Sequence, residues 1–219
     1  MDVIKPYKFI PKDSIETIAS ELRYKVESGR TRRRLSADSI AETIADSLDL
    51  NIMWESIPAD KKGKIAAMIF PIKQMIIINS NVSELEKDGY RQSTIAHEIG
   101  HWTLHINQQA VEKYIDRDES ITKILKRSQP FLCRSFQSSK EDFNREWQAQ
   151  YFAGCLLMPK YKLIDAQRGR DLTNWNHLYA MKGDLGVTIS NLTFRLKSLN
   201  WIRLANGSKQ IYPGRNMPK

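Results

Sequence analysis

The apolar positions of this chain follow helical spacing in several stretches, and the clearest example spans residues 92–106. Apolar residues recur there at i, i+4, i+7 and i+11, which places on one helix face Ile95, Ile99, Trp102 and Ile106. The same spacing places His97 and His101 together on nearly the opposite face. We therefore expect a helix that buries its apolar side and turns its histidine side towards a cleft.

Further helices are predicted on both sides of this segment. One runs from Asp13 to about Glu27 and is closed by Gly29, and the next is capped by Ser36. An additional helix is predicted over residues 118–126.

Short β-rich runs lie between the second helix and the histidine segment. Residues 51–57 read as a strand, and the runs 64–70 and 74–79 form a predicted hairpin across Pro71. The edge of this hairpin is a candidate for pairing with an extended substrate. A hairpin that only covers the helix explains the pattern equally well.

The histidine face carries the pattern H-E-x-x-H, which reads in full His97-Glu98-Ile99-Gly100-His101. Residues four apart lie on one helix face, so both imidazoles can bind one metal ion. The intervening Glu98 can hold and deprotonate a water at the metal, which is the chemistry of a zinc peptidase. Because the chain contains only four histidines, the pattern favours a metal site over two unrelated surface histidines.

A catalytic zinc site needs a third protein ligand and one open position. The extended metzincin pattern requires Gly at 104 and His at 107, whereas this chain has Leu104 and Asn107, so that class is excluded. A glutamate on a later helix is the other common solution, and Glu146 lies on such a segment. The small residues Ala149 and Ala153 flank its face and would let a second helix approach closely.

Other polar residues near these motifs leave alternatives open. Glu146 is explained equally well as a surface glutamate of an amphipathic helix, because Glu141 and Asp142 lie nearby. Gln150 lies one turn beyond Glu146 and could hydrogen-bond a metal ligand. His105 continues the histidine face, where it could orient a ligand or be a plain neighbour of the site.

Together, the two motifs resemble those of the ImmA/IrrE family of metallopeptidases, which are gluzincin-like enzymes of bacteria and their mobile elements. The resemblance rests on HEIGHW and on a segment of the form E-x-Q-A-x-x-F-A-x-x-L-L-M-P that begins at Glu146. It covers about residues 64–159, with a looser match to about Leu199. The family usually has Asn or Asp at the position of Gln150, and the stretch from His101 to Glu146 is long for the family.

The resemblance implies a zinc ion (Zn2+) held by His97, His101 and Glu146, with Glu98 as the catalytic base. It also implies a protein substrate, which would be a helix-turn-helix transcriptional repressor of a mobile element or stress regulon, or an antitoxin-like regulator. Cleavage of that partner would release its genes. A further group should stabilise the oxyanion, and the candidates are Tyr90, Tyr151 and His177.

The last part of the chain predicts a helix, a turn, a helix and a hairpin, which is the element order of a winged-helix unit. A helix over 172–181 is followed by a turn, and Thr188 or Ser190 starts the next helix. Two strand-like runs flank an Asn-Gly turn and span residues 201–205 and 208–212.

The net positive charge is concentrated in this tail. Residues 159–219 contain eleven Lys and Arg but three Asp, which accounts for eight of the nine net positive charges. Such asymmetry indicates an acidic partner, with nucleic acid as the first candidate. The candidates for DNA phosphate contacts are Arg195, Lys197, Arg203 and Lys209. A helical cap that packs on the peptidase body explains the tail at least as well, and the smaller basic cluster at 30–34 reads as a solvated linker.

These features predict an α+β fold with a zincin-like metallopeptidase core (a small sheet plus active-site helices) and a winged-helix-like tail. The expected division is an N-terminal helix and basic linker over 1–36, the core over 37–159 and the tail over 160–219. The start lacks the apolar run of a signal peptide, and no stretch is long enough to span a membrane. Cys133 and Cys155 show no paired spacing. We therefore expect a cytoplasmic protein with reduced thiols and no membrane partner.

A function from another class also fits the motifs. The chain could be a zinc-containing regulatory module that binds a DNA-binding partner, or DNA, without cleaving anything. Peptidase scaffolds can keep the metal and lose activity, but the presence of Glu98 favours the enzyme.

Overall fold

The computed structural model describes residues 2–28, 40–59, 63–115, 140–205 and 207–218. These ranges form eight α-helices, a small mixed sheet and a C-terminal β-hairpin, which confirms the predicted α+β class. The helices are α1 Lys12–Ser28, α2 Ile40–Ser47, α3 Asp88–His105, α4 Gln108–Ile115, α5 Lys140–Leu157, α6 Lys160–Gln167, α7 Trp175–Asp184 and α8 Ile189–Ser198. The strands are β1 Asn51–Glu55, β2 Ala67–Phe70, β3 Met75–Asn79, β4 Ile202–Leu204 and β5 Ile211–Pro213.

The main sheet has three strands in the order β1-β3-β2. β2 and β3 pair antiparallel with Ala67 opposite Ile78, which confirms the predicted hairpin. β1 pairs parallel with β3, with Asn51 opposite Met75. The central strand β3 is almost entirely buried because it has a neighbour on each side, whereas β2 lies at an edge.

α3 lies at the centre of the molecule, between the sheet and α5. Its predicted apolar stripe is buried, and Ile95 and Ile99 are fully enclosed. The prediction that the histidine side faces a cleft holds for His97 but not for His101 or His105. His101 and His105 are also buried, because α5 packs along that side of α3, and His97 alone of the three retains partial exposure.

The N-terminal segment packs over the end of α3. Ile4 forms an antiparallel bridge with Ile106, and the Lys5 amide donates to the His105 carbonyl oxygen at 2.8 Å. α1 then packs on α5. The sequence patterns missed two short helices, α4 and α6. The first follows Asn107, whose side-chain oxygen accepts a hydrogen bond from the Ala110 amide at 3.3 Å.

The tail has the predicted order of helix, turn, helix and hairpin. Thr188 caps α8 by accepting a hydrogen bond from the Asn191 amide at 3.2 Å. β4 and β5 pair antiparallel, and Gly207 between them has a φ of 71°. One buried apolar cluster contains residues of α1, α5 and α8, such as Ile15, Phe152 and Leu192. The tail therefore shares its packing with the body.

Several predicted features lie outside the described residues, namely the helix over 118–126, the basic cluster 30–34, Gly29, Ser36 and Cys133. Cys155 is buried and carries a free thiol. Among the helices of the described ranges, none combines the length and apolar character needed to cross a bilayer.

Candidate metal centre

The site is built where α3 and α5 approach each other most closely. Gly100 of α3 faces the backbone of Ala149, and a Cβ at Gly100 would lie 3.0 Å from the Ala149 carbonyl oxygen. Ala149 and Ala153 are both buried, as expected for small residues at a close helix contact. This approach brings the Glu146 carboxylate, one turn before Ala149, to the histidine face of α3.

Three donor atoms converge at this contact. His97 Nε2 lies 3.2 Å from Glu146 Oε2, and His101 Nε2 lies 3.4 Å from Glu146 Oε1. The two Nε2 atoms lie 3.1 Å apart. His97, His101 and Glu146 thus form a group whose ligand atoms all lie within 4.8 Å of one another and could hold a metal ion.

Burial and the neighbouring charges shift the pKa values of this triad in opposite directions. Burial lowers the pKa of His101 to about 4. Burial opposes ionisation of Glu146, but the neighbouring His101 and His97 outweigh it and lower the pKa of Glu146 to about 2. Burial also lowers the pKa of His97, yet its hydrogen bond to Glu146 and the charge of Glu98 raise that pKa overall. A metal would meet a neutral His101 and an ionised Glu146, and it would compete with a proton at His97.

A chain of buried hydrogen bonds fixes the orientation of His101. Gln148 donates from Nε2 to the Lys8 carbonyl oxygen at 3.2 Å, so its Oε1 faces His105 Nε2 at 2.9 Å. His105 Nε2 therefore donates to Gln148, and His105 Nδ1 accepts from His101 Nδ1 at 3.0 Å. The lone pair of His101 is therefore on Nε2, the atom that faces His97 and Glu146, as a metal ligand requires.

The same hydrogen bonds involve a neutral His105 ring and the side chain of Gln148. Burial lowers the pKa of His105 to about 3, so the ring is neutral and can accept from one side and donate on the other. Sequence reasoning singled out His105 but assigned no role to Gln148, although Gln148 is the glutamine of the E-x-Q-A motif that begins at Glu146.

A cleft of about 430 Å³ opens beside the triad. His97, Glu98, Glu146 and Gln150 line it, together with Ala66 and Ala67 at the start of β2. Glu98 is almost fully buried at 1% exposure. Gln150 lies beside His97 in the cleft lining and helps to raise the pKa of His97.

The rest of the cleft lining comes from the first half of α3 and from the tail. Tyr90, Ser93 and Thr94 of α3 lie there with Thr188, Ser190 and Asn191 at the start of α8. Sequence reasoning did not identify this wall. The residues are polar and lie in two groups almost a hundred positions apart in the chain, so no pattern in the sequence joins them.

Of the three candidates for an oxyanion donor, Tyr90 alone lines the cleft. The Tyr151 hydroxyl donates instead to Glu16 Oε2 at 3.3 Å, in the contact between α1 and α5. His177 lies in the tail, where its Nδ1 accepts a hydrogen bond from the Asp171 amide at 2.8 Å.

The expectation that Arg195 is exposed for DNA contact is wrong. Its side chain is 1% exposed, forms an ion pair with Glu16, and donates to the Met158 carbonyl oxygen at 3.1 Å. Arg195 lies between Leu192 and Leu196 on the face of α8 that packs against α5, so it cannot reach a phosphate. The other three candidates, Lys197, Arg203 and Lys209, are exposed.

Neither models of protein families nor curated proteins give a match to this chain. Among solved structures, the chain is similar to a Mycobacterium tuberculosis transcriptional regulator, with a TM-score of 0.49 and 15% sequence identity. The match covers 87% of this chain and 52% of that one, so this chain spans about half the length of that structure. At this level of similarity, the match bears on neither activity nor partners.

Proposed function

We propose that this protein is a zinc-dependent endopeptidase with a zincin-like core, and that its substrate is a partner transcriptional regulator. The observation that carries the proposal is the convergence of His97, His101 and Glu146 at a cleft that Glu98 also lines. Each of these residues belongs to a motif that resembles the ImmA/IrrE metallopeptidases.

The donor set supports zinc as the metal. Two imidazole nitrogens and one carboxylate oxygen are a common set of three protein ligands in catalytic zinc sites, which keep a further position open. The atoms of His97, His101 and Glu146 lie close enough together to bind one ion. When bound, zinc would lower the pKa of a water molecule towards about 7 and polarise the scissile carbonyl.

Glu98 supplies the proton transfers in this proposal. Its carboxylate would accept a proton from the attacking water and pass it to the leaving amine. Glu98 is next to His97 in the chain, is buried, and lines the cleft. Tyr90 is the candidate that would donate a hydrogen bond to the oxyanion.

The border of the cleft suits an extended peptide. β2 lies at the edge of the sheet, and Ala67, its first residue, lines the cleft. An edge strand offers backbone amide and carbonyl groups to a substrate strand. We propose that the substrate pairs with β2 and thereby places its scissile bond beside Glu98.

The proposed substrate class comes from the family resemblance. It would be a helix-turn-helix repressor or an antitoxin-like regulator, encoded next to this protein, whose cleavage releases the genes that it represses. The cleavage reaction itself can be tested without that regulator, by using peptides as the substrate.

The decisive variant is Glu98→Gln, which removes the base but no proposed metal ligand. Zinc-loaded protein is incubated with a proteome-derived peptide library, and the new N-termini are counted by mass spectrometry. We expect cleavage by the wild type and by the exposed control Glu21→Gln, and a loss of cleavage with unchanged zinc content in Glu98→Gln. The neighbouring regulator is then tested by co-expression.

The same pair of variants separates the enzyme from a regulatory module that does not cleave. If co-expression alters the partner equally with wild type and with Glu98→Gln, the effect is binding and the peptidase proposal is wrong. If neither protein cleaves the peptides or the regulator, the proposal fails as well.

DNA contact by the tail is a second proposal, supported by the exposed Lys197, Arg203 and Lys209 and by the concentration of positive charge in 159–219. Replacing all three residues by alanine should weaken DNA retention and flatten its salt dependence, because fewer counterions are released. Retention that is absent, or equal in the variant, would remove this proposal.

A further inference from the structure

The tail packs on α3, the helix that carries His97 and His101, through a contact that leaves no room for a side chain at Gly89. A Cβ added at Gly89, in the first turn of α3, would lie 2.9 Å from the Val187 carbonyl carbon and 3.1 Å from the Thr188 nitrogen. The backbone that leads into α8 therefore lies directly on the start of α3.

Side-chain hydrogen bonds hold the same contact. Asn191 donates from Nδ2 to Ser93 Oγ, and Ser93 Oγ donates to the Gly89 carbonyl oxygen at 3.0 Å. One turn later in α8, Arg195 is held by its ion pair with Glu16. α8 is thus attached to the body at two successive turns, and its first turn is held in place as a wall of the metal cleft.

The chemistry of this wall is uncharged and polar. Ser190 and Tyr90 present hydroxyl groups. Asn191 donates from Nδ2 to Ser93, so its side-chain carbonyl oxygen is the atom that can accept a further hydrogen bond. Across the described residues, the cleft lining contains no lysine or arginine.

The charged residues in the same cleft lining reinforce this selectivity. Glu98 and Glu146 line the cleft, and a divalent ion at the triad would balance their two charges without adding a net positive one. An acidic substrate side chain would lose its hydration there without gaining a cationic partner. A side chain with hydrogen-bond donors would meet the hydroxyl and carbonyl oxygens of the wall.

We infer that Ser190 and Asn191 of the tail form a substrate subsite that accepts uncharged polar or basic side chains and rejects acidic ones. The inference rests on the proposed function for the nature of the ligand, a peptide. It makes the tail a part of the substrate site, whether or not the tail also meets DNA.

Binding to a protein that cannot cleave tests the subsite separately from catalysis. A random heptapeptide library is incubated with zinc-loaded Glu98→Gln protein, and the retained peptides are sequenced. The library is also bound to two proteins with an added change at the exposed Ser190, Ser190→Lys and Ser190→Asp. Ser208→Lys, an exposed position of the tail outside the cleft lining, is the matched control.

We expect the retained peptides to be depleted in Asp and Glu at one position. Ser190→Lys should raise the frequency of acidic residues at that position by about threefold, the scale of a partly exposed charge pair, and Ser190→Asp should lower it further. Ser208→Lys should leave the profile unchanged.

An unchanged profile in both Ser190 variants would overturn the subsite. The absence of retained peptides, relative to protein in which Glu146 is also replaced by Gln, would overturn it too. A shifted profile together with a failure of the Glu98-containing protein to cleave would contradict the proposed peptidase but support the subsite. Glu98-dependent cleavage with an unshifted profile would contradict the subsite alone.

Discussion

Gly100 of α3 lies directly against Ala149 of α5, so closely that a methyl group at Gly100 would have to displace its neighbours by a few tenths of an ångström. This contact sets the distance between the helix that carries His97 and His101 and the helix that carries Glu146. The metal site therefore depends on a residue that contributes no ligand atom.

Replacing Gly100 by Ala should push the two helices apart. Overpacking of this kind costs about 1–3 kcal/mol, partly offset by the higher helix propensity of alanine. We expect a net loss of stability on the order of 1 kcal/mol by denaturant unfolding, and weaker zinc binding by chelator competition. Gly154→Ala is the control in α5, because its Cβ would lie 3.6 Å from the nearest atom, an ordinary contact. Equal zinc affinity in the two variants would contradict the role of the Gly100 contact.

The hydrogen-bond chain from Gln148 through His105 should tune metal affinity. Gln148→Leu removes the acceptor for His105 Nε2, so the tautomer of His101 is no longer fixed. We expect zinc affinity to fall about 10–100-fold, as for other residues that orient metal ligands. Gln148→Glu keeps an acceptor oxygen and should retain most of the affinity.

The tautomers can be read directly from the metal-free protein. Nitrogen-15 NMR of the histidine rings should show His101 protonated at Nδ1 in the wild type and a mixture of tautomers in Gln148→Leu. If Gln148→Leu and the wild type have identical ring spectra and identical zinc affinities, the hydrogen bonds from Gln148 through His105 have no positioning role.

The buried neutral histidines should make the metal-free protein sensitive to acid. Both rings titrate at 6.5 when unperturbed, whereas burial lowers the pKa of His101 to about 4 and that of His105 to about 3. At pH values between the unperturbed pKa and the lowered pKa of each histidine, the unfolded chain binds more protons than the folded protein. The free energy of unfolding therefore falls as the pH drops below about 6.5. At pH 5, each of the two histidines should lower the free energy of unfolding by about 2 kcal/mol.

Substitution at His105 separates the two contributions. His105→Gln removes one titrating ring, so its stability should fall by about half as much as that of the wild type between pH 6.5 and pH 5. His97 does not oppose this trend. Its pKa is raised in the folded protein, so the stability that it contributes is already fully present below pH 6.5. Parallel stability curves for wild type and His105→Gln would contradict this explanation.

The ion pair between Arg195 and Glu16 should stabilise the docking of the tail. Arg195→Met keeps a long side chain but leaves the largely buried Glu16 carboxylate without its charged partner. Removing one member of a buried pair costs about 3–5 kcal/mol, which should appear in the free energy of unfolding. Lys197→Met, two positions away and exposed, should change it by less than about 0.5 kcal/mol. A similar small effect in both variants would mean that the pair contributes little.

The parts of the fold that the sequence predicted are those with local patterns. The i, i+4 spacing of His97 and His101, the hairpin of β2 and β3, and the helix-turn-helix-hairpin order of the tail all follow from residues close together in the chain. The approach of Glu146 was anticipated from the small residues beside it and from the family resemblance.

The contacts that the sequence did not predict join distant elements. The hydrogen bond from Gln148 to Lys8 and that from Asn191 to Ser93 depend on how helices pack, and neither pair has a recognisable spacing. The burial of Arg195 could have been predicted, because its neighbours in the buried face, Leu192 and Leu196, lie at helical spacing around it. Its charge favoured a surface assignment instead.

The measurement that tests the central claim most directly is the zinc content of the purified protein, determined by mass spectrometry of the metal after dialysis. We expect one zinc ion per chain in the wild type and in Glu141→Gln, a matched exposed position on α5. We expect little or none in Glu146→Gln, which keeps the shape of the side chain but removes the charged ligand. Equal zinc contents in Glu146→Gln and the wild type, or no bound metal in either, would contradict a metal centre formed by His97, His101 and Glu146.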